Sequence, residues 1–296
     1  MSSSGSPCSY LAIQAMLPFM EANERIKVAS SIPAIRHNFH RIPTNIDFMS
    51  IGHKEIIINK TSHKFSRLMS VFSIEETEYI QVTVNDVLKQ LIQTKAPVAK
   101  VMNAFLEHHV NRAKIVTLDL KTVVTADIQV MVRNLVLTTP GTDLSKILSP
   151  KCLPLLSAEI MDWNLATEEP IRSACLLVAP NNMSLAHFET VIHKRVHLRP
   201  STGRYHTIAV PEFLMWLEST WATAKRRHWS FEIESLRNMI LVNTFLTGMG
   251  TATVRKLGGY EVYHVECPRV PGESLMLICH PIDNIIHVHC HFIEKD

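Results

Sequence analysis

The sequence predicts a mixed α/β protein with a short helical module over residues 8–45 and a larger α/β region over 50–296. The α/β region is expected to hold degenerate leucine-rich-like strand–helix units and to end in an antiparallel meander. Three observations predict this class. Apolar residues at helical spacing crowd the opening. Strand-like segments with short helical pieces between them recur at intervals of about 20 residues through the middle, within the period range of such repeats. Three alternating segments, separated by proline-bearing turns, close the chain.

Composition sets the outer limits. The chain has 296 residues, 46% of them apolar and 19% charged. A chain of that size buries about three quarters of its unfolded surface as one large domain or two modest ones. Subdivision of the α/β region is expected at about 110 and 200. Disordered, collagen-like and disulfide-dense classes are excluded. Lys+Arg exceeds Asp+Glu by 30 − 27 = 3, too little to argue for nucleic acid as a partner. Only 9 glycines occur, against an enzyme built on glycine-rich phosphate loops. The 16 histidines stand out.

The opening decapeptide lacks a basic n-region, and no apolar stretch approaches a membrane span. Six cysteines (8, 152, 175, 267, 279 and 290) include no C-x-x-C pair and sit mostly among apolar residues. Reduced thiols in a cytoplasmic or nuclear protein, away from membranes, are the expectation. The glycosylation patterns at Asn59-Lys60-Thr61 and Asn182-Met183-Ser184 lack a secretory context.

From Tyr10 to Arg36 the pattern is helical but short-winded, with Leu11, Ala15 and Phe19 spaced by four and Pro18 inside the first run. A second run covers Arg25 to Ala29, and a third can begin at Ser31 before Pro33. Three brief helices cannot form a core by themselves, so they pack on the rest of the chain or on a partner. Glu55–Asn59 and Glu78–Val84 read as strands, and Val84–Ile92 and Val98–His108 as helices parted by Pro97. Lys114–Leu120 alternates as a strand. Further strands centre near Leu135, Ala158, Leu177 and Val196, with helical pieces at Leu144–Leu148 and Leu185–Ile192. Pro211–Ala224 carries Phe213, Leu217 and Trp221 at i, i+4, i+8 and is the clearest helix. A strand at Trp229 and a helix over Ser235–Phe245 follow. The strands Tyr260–Glu266, Ser274–Cys279 and Ile285–Phe292 form the meander.

Chemistry-bearing motifs are few. His287, His289 and His291 alternate and therefore share one face of a strand, with His280 as a cross-strand neighbour. Imidazoles at such positions can hold zinc or iron, and a metal-dependent enzyme using these four residues is one alternative. The opposite stripe of Ile286, Val288, Cys290 and Phe292 is the better core face, which places the histidines toward solvent. Same-face neighbours on a strand stand about 7 Å apart and do not converge on one ion without a bulge. Cys290 points away from both flanking imidazoles, and no G-x-G-x-x-G, Walker A, G-x-S-x-G or H-E-x-x-H pattern occurs. Asp119, Asp162 and Asp283 are isolated, as helix or turn caps are. The Lys225–His228 run follows a helix, where positive charge suits the dipole. No catalytic residues, no cofactor and no bond chemistry are therefore expected.

Several stretches resemble one family. They are LAIQAMLPFMEANERIKVASSIPAIR from 11 to 36, EIIINKT from 55 to 61, EEPIRSACLLVA from 168 to 179 and HKRVHL from 193 to 198. FLMWLESTW from 213 to 221, WSF from 229 to 231 and GGYEVYHVECPRVPGESLMLICHPIDN from 258 to 284 complete the series. In this order they resemble the nematode F-box C proteins, in which an F-box-like helical segment precedes a nematode-specific domain. The resemblance implies a substrate-recognition adaptor of a cullin–RING (SCF-type) ubiquitin ligase. Its N-terminal helices would bind the ligase adaptor subunit, and the α/β domain would hold a protein substrate of unknown identity. Carried onto this chain, the docking surface would comprise Leu11, Ile13, Leu17, Phe19, Met20, Ile26, Val28, Ile32 and Ile35, with Arg25 and Arg36 on its rim. A protein-interaction domain without ligase association is the remaining alternative.

Overall fold

The computed structural model describes residues 16–32, 44–69, 78–180, 187, 190–199, 227–233, 252–257, 260–266, 273–282 and 285–294. It is a mixed α/β fold of many strands and a few short helices, divided into two compact units, Met1–Leu153 and Pro154–Asp296. The division falls between the two positions at which the sequence suggested subdivision.

The first unit begins with a 3-10 turn, Leu17–Phe19, and helix α1, Ala22–Ser31. Glu21 caps α1 by accepting from the backbone N–H groups of Asn23 (2.7 Å) and Glu24 (3.3 Å), two donors that have no partner inside the helix. Five antiparallel strands then meander: β1 Asn45–Ile51, β2 Glu55–Ile58, β3 Thr61–Met69, β4 Glu78–Val84 and β5 Val87–Gln93. Helix α2, Val98–His109, crosses back so that β6, Lys114–Leu120, lies parallel to β1, and β7, Met131–Leu137, lies parallel to β6. Helix α3, Leu144–Ile147, is capped by Asp143.

Alternation builds this sheet where it is present. β2 buries Ile56 and Ile58, and β7 buries Leu135 and Leu137, in each case alternate residues. The face so formed is covered by α2, whose Met102 and Leu106 are buried and whose Phe105 ring meets Phe65 edge-on at 5.8 Å. Methylene-rich side chains in such sites stabilise by about 1.5–3 kcal/mol each.

Residues Val84–Ile92 correct the sequence expectation of a helix. Asn85 and Asp86 both adopt positive φ (49° and 63°), the backbone of a two-residue hairpin turn, and β5 returns along β4. Asn and Asp tolerate that region because their short side chains bond locally. Asn85 Oδ1 accepts from Ser62 N–H at 2.9 Å and Asp86 pairs with Lys64 at 2.6 Å. Strands β1 and β3 had no counterpart in the sequence expectation.

The second unit contains β8 Ser157–Ile160, β9 Leu176–Pro180, β10 Arg195–Arg199 and β11 His228–Ile233, with parallel neighbours throughout. Strand β15, Ile285–Glu294, runs antiparallel to β11. Beyond it lie β14 Glu273–Ile282, β13 Tyr260–Glu266 and β12 Ala252–Leu257, each antiparallel to its neighbour. The expected strands near Ala158, Leu177, Val196 and Trp229 and the closing meander are thus present. Its core face carries Ala158, Leu177, Val196, Trp229, Val288 and Cys290, all buried. Between β8 and β9, Asp162 caps a 3-10 turn at Trp163–Thr167, and Trp163 Nε1–H donates to Pro180 O at 3.0 Å. The expected helices over 211–224 and 235–245 lie outside the described residues.

Candidate functional site

Two surfaces answer to the sequence expectations. The first is the N-terminal turn and helix. Leu17 is fully buried and Ile26 is buried beside Ala22 and Ala29, so these two members of the expected docking surface belong to the interior instead. Arg25 is 1% exposed, which corrects its expected place on a rim; burial lowers its guanidinium below the usual value. Alternation around the 3-10 turn has the opposite effect on its flanks. Phe19 is 90% exposed and Met16 is 56% exposed. Met20, Val28 and Ile32 are half-buried. Leu11, Ile13 and Ile35 lie outside the described residues.

Polar contacts fix α1 to the sheet. Asn23 Nδ2–H donates to Ile58 O at 2.9 Å, and Asn23 Oδ1 lies 3.3 Å from His63 Nε2. Asn59, in the left-handed region at φ 53°, accepts from Asp47 and Phe48 N–H and donates to Glu21. Burial alone would raise the Glu21 carboxyl, but the donors from Asn59, Asn23 and Glu24 outweigh it and hold it below the usual carboxylate value. Carboxylates that accept several such bonds favour the charged form.

The second surface is the face of the second unit's sheet opposite its core. As the alternation requires, Val288 and Cys290 are buried, whereas His289 is exposed and His287 and His291 are half-buried. Strand register adds neighbours that the sequence expectation lacked. His280 stands directly across from His287, and His287 stands opposite Glu232 on β11. The next row aligns His289, Ser230 and His197; beyond it His228 pairs with Arg195, and the His228 ring packs against His291. The segments Arg195–Arg199 and His228–Glu232 alternate with the same parity as 285–294, and matching those parities is the signal that links them.

Glu232 organises one end of this face. Its Oε1 lies 3.0 Å from His197 Nε2, 3.7 Å from His287 Nδ1 and 3.9 Å from Arg199 Nε. A carboxylate only accepts, so His197 donates from Nε2 and leaves Nδ1 to face the Ser230 hydroxyl at 2.8 Å. Arg199 also donates from Nη1 to both oxygens of Glu159 at 2.8 and 2.9 Å. The other end is built of imidazoles: the His228 ring lies 5.4 Å from His291 and 6.2 Å from His289. Burial, reinforced by nearby cationic groups, lowers both His228 and His289.

On the opposite face of the sheet from these rings, burial pushes the Cys279 thiol up to about 12 and raises Cys290 as well, which disfavours the thiolate of both. Among the described residues no group of three or more His, Cys, Asp or Glu side chains is arranged to hold a metal ion. His280, His287, His289 and His291 are spread over neighbouring rows rather than gathered on one point. Among the described residues no helix is long and apolar enough to cross a membrane.

Fold and surfaces together define a sheet-based α/β protein with an apolar N-terminal turn and an imidazole-lined face. Compared with known proteins, the chain matches no family model, no curated protein and no solved structure.

Proposed function

We propose that this chain is a non-catalytic recognition subunit of a cullin–RING ubiquitin ligase. Its N-terminal turn and helix face the ligase adaptor subunit, and its α/β sheets hold the protein to be modified. One observation carries the reading: Leu17 anchors the turn inward while Phe19 and Met16 stand out on either side of it. A phenylalanine held almost wholly in water on an anchored turn is a preformed contact, because little ordering remains to be done on binding. Burying it contributes about 2 kcal/mol, roughly thirtyfold in affinity.

The F-box-like segment and the ladder of parallel strands support the same reading, since adaptors of this kind pair a helical docking module with a sheet that presents side chains. Docking uses Met16, Phe19 and Met20, with Val28 and Ile32 beside them; Leu17 and Ile26 hold that surface from beneath. The test is capture of the full chain by immobilised adaptor subunit. Wild type is retained and Phe19→Asp is lost at unchanged thermal stability. Equal retention of the two proteins overturns the proposal.

A further inference from the structure

The second unit's sheet carries a corner of arginine and imidazole side chains that no described carboxylate faces, beside one that Glu232 does face. At the latter end, Glu232 gathers His197, His287 and Arg199 around one carboxylate, and Glu159 takes the other side of Arg199. At the opposite end, Arg195 is exposed, and His228, His289 and His291 cluster within ring-contact distance. Among the described residues no carboxylate pairs with any of these four.

Strand geometry makes the corner a surface rather than scattered charge. Arg195 and His228 are register partners on adjacent strands, and the His228 ring packs against His291 on the strand beyond; neighbouring strands lie about 4.8 Å apart. His289 is one same-face step along β15, about 7 Å away. Four donor groups therefore occupy an area comparable with two or three consecutive side chains of an extended peptide. Met276 continues the row on β14, and His264 follows it on β13; His280 borders the Glu232 end.

We propose that this corner docks an acidic, carboxylate-rich peptide segment of a protein partner. The occupant is argued from charge complementarity: the face already shows how it treats a carboxylate, at Glu232, and repeats the imidazole-plus-arginine donor set a short distance away without one. Such complementarity governs orientation and encounter as well as affinity. The inference deepens the recognition role proposed above by naming the surface and the chemistry of the target. It rests on that reading for its biological meaning, though not for its test.

Binding of a carboxylate favours the charged imidazoles, so affinity rises as pH falls through the histidine range. Among the described residues, Glu159 and Glu232 oppose this at the far end of the face, where they already engage Arg199, His197 and His287.

The experiment titrates full-length protein into a fluorescent glutamate-rich peptide of about twelve residues and reads anisotropy near pH 6 and near pH 7.5. Wild type binds at least about tenfold more tightly at the lower pH. Arg195→Glu weakens that binding by about tenfold or more. Lys89→Glu, the same charge change on exposed β5 of the other unit, leaves it within about twofold. The conservative pair His289→Gln, His291→Gln removes most of the pH dependence without introducing charge. Circular dichroism confirms that each variant is folded. No measurable binding by wild type, equal losses in the Arg195 and Lys89 variants, or a tenfold preference for a phosphoserine peptide would each overturn the proposal. Because no ligase component is present, this result and the adaptor capture result fail independently.

Discussion

Asn23 on α1 and His63 on β3 meet in the interior of the first unit, with His63 Nε2 3.3 Å from Asn23 Oδ1 and the His63 ring 5.1 Å from that of Phe105. The relationship ties the N-terminal helix to the body of the fold through a histidine, and it makes that attachment sensitive to protons. Removing residues 1–43 would therefore strip buried groups from the first unit as well as any docking surface. Point substitutions separate the two roles.

Burial pushes the His63 imidazole down to about 4. The neutral ring is favoured in the folded state, so between about pH 6.5 and 4 the unfolded chain binds more protons. This contribution is fully present above about pH 6.5 and is lost as pH falls toward 4, by about 2 kcal/mol near pH 5 and about 3 kcal/mol near pH 4. Burial also lowers His193, which adds to the loss in the same direction. Urea unfolding midpoints across this range measure the effect, and His63→Phe flattens the His63 part of the profile. A wild-type midpoint independent of pH between 6.5 and 5 would contradict it.

Leu17→Ala empties a fully buried site and costs about 2–5 kcal/mol by chemical denaturation. Phe19→Asp, two residues along but in water, changes stability by no more than about 0.5 kcal/mol. Similar losses for both would mean that Phe19 is covered.

The hairpin at Asn85-Asp86 predicts its own substitution pattern. Asp86 holds φ 63°, so Asp86→Val costs about 1–2 kcal/mol. Asp86→Gly removes the strain together with an exposed ion pair to Lys64 and leaves stability unchanged or up to about 1 kcal/mol higher. Thermal melts of the two variants decide the sign.

Thiol accessibility follows burial. Cys175 is exposed and Cys152 partly so, whereas Cys279 and Cys290 are buried beneath the sheet. In native protein an aromatic disulfide reagent modifies Cys175 ahead of Cys152, and Cys279 and Cys290 react only in denaturant, as read by peptide mass mapping. Native modification of Cys290 would contradict the assignment of its strand face.

Parts of this fold were legible because a buried face writes itself into the chain as alternation. Lys114–Leu120 and the meander strands carry that alternation, and the parity of Val288 and Cys290 marks the solvent side of the histidine stripe in the sequence itself. The region from 60 to 110 was obscure for equally physical reasons. β3 turns His63 inward beside Phe65, so its buried face is half polar and its alternation is short. β5 is an edge strand whose Val87, Leu88 and Leu91 are all exposed; with no face to bury, its pattern imitates a helix. The N-terminal docking residues were legible as a group but not in orientation, since a break at Pro18 turns Leu17 inward and Phe19 outward within three residues. The partners of the histidines were missed because Glu232 and Arg195 reach them through pairing between distant strands.

The most direct test of the recognition account is hydrogen exchange of the full chain with and without purified ligase adaptor subunit. The account predicts slowed exchange over residues 16–20 and the adjoining face of α1 at Val28 and Ile32, with the sheet of the second unit unchanged. Unaltered exchange throughout the N-terminal segment at saturating adaptor would contradict it.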